Sequence, residues 1–287
     1  MQPWTVERSS PGVVTVRVRT DKGYPKIRLL LRGDVHHDNP HSDRKLETKH
    51  LDEAKATGAG VIDVGDLFCA MQGKYDKRSD KSSVRPEHQE GNYLDRLVST
   101  AAEFYAPYAD NFITIGTGNH ESAILSRHET DLTERLCERL VRSDGSRVLN
   151  GGYSGWVRVL LQRGTNRRGV RIWYHHGYGG GGPVTLDMIQ AQRQSAYIEG
   201  ADIMVSGHTH DAWATDKVKI RCSDQGVVEH RSFWQVKVPT YKDEYGHGSG
   251  GWHVATGKPP KPKGAWWATI ETTNSSGVPS ISIERAN

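Results

Sequence analysis

Short apolar runs of strand length recur along the chain, and most are closed by a glycine and a polar side chain. Ile27 to Leu31 leads into Gly33-Asp34-Val35-His36, Val61 to Val64 into Gly65-Asp66, and Phe112 to Ile115 into Gly118-Asn119-His120-Glu121. Ile172 to Tyr174 leads into His175-His176-Gly177, and Ile203 to Val205 into Gly207-His208-Thr209-His210. Runs of this kind predict strands of an α/β sheet that present side chains at their carboxyl ends. Residues 13–19 alternate as a half-buried strand does. Helical spacing predicts helices over Asp43 to Thr57, Tyr93 to Tyr108, Glu129 to Val141 and Val184 to Gly200. Val157 to Leu161 and Val170 to Tyr174 predict a hairpin.

Past Asp211 the texture changes to short strand-like pieces, Lys217 to Arg221, Arg231 to Lys237, Trp266 to Thr272 and Ile281 to Glu284. Gly257-Lys-Pro-Pro-Lys-Pro-Lys-Gly264 reads as an exposed loop between them. No internal repeat is evident. Residues 69–92 are polar, rich in Lys and Arg and without period, which predicts a long insertion loop. The expected architecture is α/β, with two sheets sandwiched between helices in one domain over residues 1–287. Its motif core is 27–211, and strands from 212–287 complete the second sheet.

Composition narrows this little. A chain of 287 residues with 35% hydrophobic and 25% charged residues can bury a substantial core. The formal net charge of +4 suits a phosphate-bearing substrate, yet it is too small to argue for nucleic acid by itself. Cys69, Cys137 and Cys222 are an odd, widely spaced set, so neither a disulfide framework nor a zinc pattern is expected. No apolar run approaches the ~18 residues of a membrane helix. The first eight residues have no apolar leader pattern, which makes the cytoplasm the expected compartment, with no membrane partner.

The polar blocks carry the chemistry. Singly, each has a plain structural reading: Asp34 and His36 share one face of a continuing strand, Asn119-His120-Glu121 makes a turn, and His208 and His210 are surface histidines. Jointly, five strand ends deliver carboxylate, imidazole and amide groups to one crevice, an arrangement suited to two metal ions. Oxygen and nitrogen ligands without thiolate fit Mn²⁺, Fe or Zn²⁺, and the carboxylate and amide share favours Mn²⁺.

The ordered set resembles the calcineurin-like metallophosphoesterase superfamily, whose pattern is Asp-x-His, Gly-Asp-x-x-Asp, Gly-Asn-His-Asp/Glu, His and Gly-His-x-His. The resemblance covers residues 27 to 211. It implies a four-layer α/β/β/α sandwich of two mixed sheets flanked by helices, and a phosphoric ester hydrolase. It also implies that one metal takes Asp34, His36, Asp66 and His210, and the other takes Asp66, Asn119, His176 and His208, with Asp66 bridging. Within the His175-His176 pair, His176 directly precedes Gly177 as the superfamily's ligand often does. His120 remains outside both sets and is implied as general acid toward the leaving oxygen. Two positions depart from the pattern. Cys69 stands where an Asp or Asn is usual, which leaves His120 without its common carboxylate partner, with Glu121 or an acid of the 69–92 loop as a substitute. Ala70 stands where the protein Ser/Thr phosphatases carry a phosphate-gripping arginine.

Candidates for holding a substrate are His37, Arg44, Lys74, Lys77 and Arg78, with the glycines at 179–182 as a backbone phosphate cradle or a hinge. Trp213, Trp252, Trp266 and Trp267 fit packing better than base stacking. The expected activity is hydrolysis of a phosphodiester or phosphomonoester by in-line attack of metal-activated water. A nuclease acting on DNA or RNA is the alternative, since Gly65-Asp66-Leu67-Phe68 resembles the repair-nuclease branch. A non-catalytic protein-binding scaffold with the same fold is the alternative of another class, and metal uptake separates it from an enzyme.

Overall fold

The computed structural model describes residues 3–70, 84–89, 91–246, 251–272 and 278–286. In chain order the N-terminal elements are β1 (Trp4–Ser10), β2 (Val13–Thr20), β3 (Lys26–Arg32), α1 (Arg44–Thr57), β4 (Gly60–Asp63), α2 (Tyr93–Tyr105) and β5 (Phe112–Gly116). The middle contributes α3 (Asn119–His128), α4 (Leu132–Arg139), β6 (Leu149–Gly152), β7 (Ser154–Arg163), β8 (Asn166–His175), α5 (Met188–Ser195) and β9 (Ile203–Ser206). The C-terminal part adds β10 (Trp213–Cys222), β11 (Val228–Lys237), α6 (Trp252–Ala255), β12 (Ala265–Glu271) and β13 (Ser280–Ala286).

Two mixed sheets result. One runs β1-β2-β7-β8-β9-β11-β10 and the other β13-β12-β3-β4-β5-β6. Alternation decides which faces meet. Val14, Val16 and Val18 of β2, Val157, Val159 and Leu161 of β7, and Leu29 and Leu31 of β3 form one buried cluster between the sheets. The opposite face of β3-β4-β5 packs Leu30 and Val61 against Leu51, Leu97, Val98 and Leu136 of the helices. On the outer face of the seven-stranded sheet, among the described residues, Trp173, Met204 and Phe233 form a small buried cluster. The four layers are therefore present, with a thin fourth. No helix among the described residues is long and apolar enough to cross a membrane.

Several expectations need correction. The C-terminal strands divide between the sheets: β10 and β11 extend the first through a parallel pairing of β11 with β9, and β12 and β13 extend the second beside β3. The helix expected from Glu129 starts at Leu132, because Glu129 is left-handed (φ 51°) and Asp131 caps the next turn by accepting from Glu134 N at 2.8 Å. The helix expected from Val184 starts at Met188, since Leu186 and Asp187 are also left-handed. Asn119-His120-Glu121 opens α3, where the Glu121 carboxylate accepts from Gly118 N at 2.8 Å and closes the first turn. β1, unforeseen, is an edge strand that buries Trp4.

Candidate metal centre

The parallel strands β3, β4 and β5 of one sheet and β8 and β9 of the other end at a common crevice, and each releases its block there. The turns are abrupt. Of nine non-glycine residues with positive φ among those described, five belong to the expected ligand set: Asp34 (51°), His36 (49°), Asp66 (54°), His208 (77°) and His210 (60°). Such conformations cost ~1–3 kcal/mol each and persist where the surroundings enforce them. The preceding glycines are required by proximity. A Cβ on Gly207 would fall inside contact distance of Asp34 Oδ2, and one on Gly118 would meet the Asp66 carboxylate and its backbone nitrogen.

The blocks converge as two triplets. Ligand atoms of Asp34, His36 and His210 lie within 4.8 Å of one another, and so do those of Asp66, His176 and His208. In the first, His36 Nε2 is 3.2 Å from His210 Nε2, which is 3.4 Å from Asp34 Oδ1. In the second, His176 Nε2 is 3.3 Å from Asp66 Oδ2 and 3.0 Å from Asn119 Oδ1, and His208 Nδ1 is 2.7 Å from the same amide oxygen.

Backbone carbonyls fix which nitrogen of each ring faces the centre. His176 Nδ1–H donates to Val64 O at 3.2 Å, and His208 Nε2–H donates to Gly179 O at 2.8 Å. The remaining nitrogens, in neutral rings, carry lone pairs aimed at an amide oxygen and a carboxylate. Acceptor facing acceptor at 2.7–3.3 Å is repulsive unless positive charge sits among them. The His176 ring shows the same field. Burial opposes its charge, yet Asp66, Asp34 and Glu121 raise it to about 9. Asp66 is held well below the usual carboxylate range, with His176 and His120 overcoming burial. Buried His36, next to His120 and His210, is pushed well below its ordinary value, and its Nδ1 has no hydrogen-bond partner among the described residues. This donor set fits divalent cations.

His175 turns the other way. Its Nδ1 accepts from Gly177 N at 2.8 Å, its ring stacks on Trp173, and burial next to His176 lowers it to about 4.

His120 sits at the rim between the triplets. Its Nε2 is 3.7 Å from Asp66 Oδ2, and its Nδ1–H donates to the backbone carbonyl of Cys69 at 2.5 Å. The carbonyl of residue 69 thus orients the ring in place of a carboxylate. Glu121 does not do so. It is buried, accepts from the amides of Asp66, Phe68 and Gly118, and is raised to about 8 by burial and by Asp66, against those hydrogen bonds. The Cys69 thiol accepts from Asn39 Nδ2 at 3.4 Å, lies near His36 and His120, and is pushed up to about 12 by burial.

The expected substrate grips lie elsewhere. His37 is buried against Glu47, Tyr105 and Phe104, behind the crevice. Arg44 binds His37 O and Glu87 and does not line the crevice. Lys74, Lys77 and Arg78 lie outside the described residues. The loop at 179–182 presents Gly179 O to His208, so a carbonyl rather than an amide cradle faces that ring. Trp213 donates to Leu186 O at 2.7 Å and packs, Trp267 is core, and Trp266 donates to Lys237 O; the side chain of Trp252 is not described.

Sequence reading missed two features. Asp38 accepts from the amides of Cys69 and Ala70, at 2.6 and 2.9 Å, and so sets the carbonyl that holds His120. Lys242, Glu244 and His253, from a segment without period or motif, line the crevice. The only signal for the first was the density of Asp, His and Asn directly after Asp34.

No family model matches the chain, and no curated protein does. Among solved structures it is similar to vacuolar protein sorting 29 from Cryptosporidium parvum, at 15% identity and a TM-score of 0.34 over 91% of this chain and 98% of that one. A metallophosphoesterase from Sphaerobacter thermophilus is 13% identical with a TM-score of 0.34, covering 91% and 89%. The anchor protein of the inner membrane complex of Plasmodium is 11% identical with a TM-score of 0.45, covering 91% and 84%. The two mixed sheets, with the ordered blocks meeting at their shared crevice, are the arrangement expected from the sequence.

Proposed function

We propose that the protein is a dinuclear-metal-dependent phosphoesterase that hydrolyses a phosphodiester or phosphomonoester. The supporting observation is the convergence of His176 Nε2 and His208 Nδ1 on Asn119 Oδ1 and of His176 Nε2 on Asp66 Oδ2, nitrogen and oxygen donors gathered within 2.7–3.3 Å of one another as a divalent cation requires. Asp34, His36, Asp66 and His210 would hold one ion, and Asp66, Asn119, His176 and His208 the other. Oxygen and imidazole ligands favour Mn²⁺, with Fe or Zn²⁺ as the other fits. Once bound, such a pair supplies Lewis-acid charge to the phosphoryl group and lowers the pKa of water.

The residues do the rest. Water attacks phosphorus in line with the ester oxygen, the P–O bond to that oxygen breaks, and the proton it needs comes from His120 Nε2. The Cys69 carbonyl keeps the other ring nitrogen protonated, so Nε2 is the atom that delivers. Gly179 O and Val64 O hold the ring planes of His208 and His176 throughout.

The test joins metal analysis to a substrate panel. Protein dialysed against Mn²⁺ should carry two ions per chain and hydrolyse bis-p-nitrophenyl phosphate, p-nitrophenyl phosphate, a cyclic nucleotide or a DNA strand. Fewer than one ion per chain together with no hydrolysis would move the assignment to a scaffold of the same fold.

A further inference from the structure

The crevice above the ligand blocks has a volume of about 850 Å³, enough for a nucleotide-sized ester and more than a phosphate fills. The described residues of 242–244 and 251–261 supply part of its lining, and residues 240–242 anchor them. Their position is fixed by the ligand blocks themselves. Thr240 Oγ1 donates to Asp34 O at 2.6 Å, Tyr241 N donates to the same carbonyl at 3.2 Å, and Lys242 pairs with Ser42 in an isolated bridge. Lys242 is therefore delivered into the crevice whose lining it shares with His36 and Asp66 by the backbone that supports Asp34.

Its side chain is only 9% exposed, and a buried ammonium is costly unless paired. Glu244 is the pair. One carboxylate oxygen takes the Lys242 ammonium, and the other accepts from the backbone nitrogen of His253. An ammonium carries three donors, and one directed at Glu244 leaves two for a ligand. Lys261, also in the lining, is bound to Asp211 at 2.6 Å. No arginine lines the crevice among the described residues, and buried Ala70 stands where a guanidinium is found in the Ser/Thr phosphatases.

We infer that Lys242, held by Glu244, is the cationic group that grips the non-bridging phosphoryl oxygens of the substrate. This rests on the crevice being a phosphate-ester site, and it moves the grip from the expected insertion to the C-terminal segment.

The test measures inorganic phosphate binding to Mn²⁺-loaded protein by calorimetry, with metal content determined on each variant. Lys242→Gln should weaken phosphate at least tenfold with both ions retained, and Lys242→Arg should stay within a fewfold of the parent. Glu244→Gln keeps the ammonium and should bind phosphate as well as the parent or better. If Lys242 and Glu244 are only a structural ion pair, both Gln variants lower the melting temperature alike and leave phosphate affinity unchanged, which overturns the proposal. A parent protein that holds its metals and shows no phosphate affinity overturns it too. The two readings separate cleanly. Lys242-dependent phosphate binding without ester hydrolysis keeps the grip and removes the esterase, whereas hydrolysis with an unchanged KM in Lys242→Gln does the reverse.

Discussion

Gly118→Ala puts a methyl group into the backbone junction that seats the Asp66 carboxylate. The added Cβ would stand 2.5 Å from Asp66 N and 2.7 Å from Asp66 Cγ, with Oδ1 nearer still. Rotating the carboxylate relieves part of this, but the clash with Asp66 N yields only to movement of the chain. A retreat of roughly 1 Å is needed to reach comfortable non-bonded separations. Such overpacking costs ~1–3 kcal/mol, and at ~2–4 °C per kcal/mol the melting temperature should fall by several degrees. Function should suffer more than stability. Asp66 is assigned to both ions, and a misplacement of about 1 Å at a reacting centre is worth ~10² in rate. Metal analysis should show loss from both positions, and kcat on bis-p-nitrophenyl phosphate should drop about a hundredfold or more. Gly91→Ala is the control, since a Cβ there meets nothing within 4 Å. A Gly118→Ala protein with two ions and parental kcat would refute the claim that this glycine exists to admit the carboxylate.

Further outcomes follow from other contacts. His120→Ala should keep both ions and slow esters of poor leaving groups far more than p-nitrophenyl esters; equal losses for both, measured as kcat, would end its role as proton donor. His176→Ala should lower metal occupancy and His175→Ala should not, because His175 stacks on Trp173 outside the triplets; elemental analysis decides. Lys237→Met should cost ~3–5 kcal/mol in urea unfolding, since it strands the buried Asp187 carboxylate, and adding Asp187→Asn should recover part of it. Burial lowers His50 to about 4 from an unfolded value near 6.5, so the unfolded chain binds the extra proton between these values and stability falls as pH drops through that window. In metal-free protein the advantage of the parent over His50→Gln should therefore shrink from pH 6.5 to pH 4.5, and a constant gap would remove His50 as the cause.

Legibility followed the range over which each feature is encoded. The blocks are local. A strand that ends in Gly and turns sharply onto a ligand writes its whole instruction in four or five adjacent residues, which is why Gly33-Asp34-Val35-His36 and Gly207-His208-Thr209-His210 point to the crevice before any fold is known. Helix limits were less legible where a left-handed residue interrupts an apolar period, as Glu129 and Asp187 do, because φ is set there by packing and caps rather than by the residue's own preference. The partition of the C-terminal strands depends on β11 lying parallel to β9, a pairing between runs some 30 residues apart that alternation alone does not specify.

The same distinction explains the groups that tune the centre. The ligand atoms of His176 and His208 are chosen by the carbonyls of Val64 and Gly179, and the ring of His120 by that of Cys69. A carbonyl belongs to every residue, so no side-chain pattern announces it, and reading Cys69 by its side chain sought a carboxylate substitute where the backbone already served. Lys242 is hidden for a related reason. It reaches the crevice only because Thr240 and Tyr241 bind the carbonyl of Asp34, more than 200 residues earlier, a long-range closure that ordinary charged residues such as Lys242 and Glu244 do not signal. The candidate metal ligands are thus written in side chains, whereas Lys242 and Glu244 reach the same crevice only through topology, so a chain that keeps the five blocks is free to differ in what its C-terminal segment brings there.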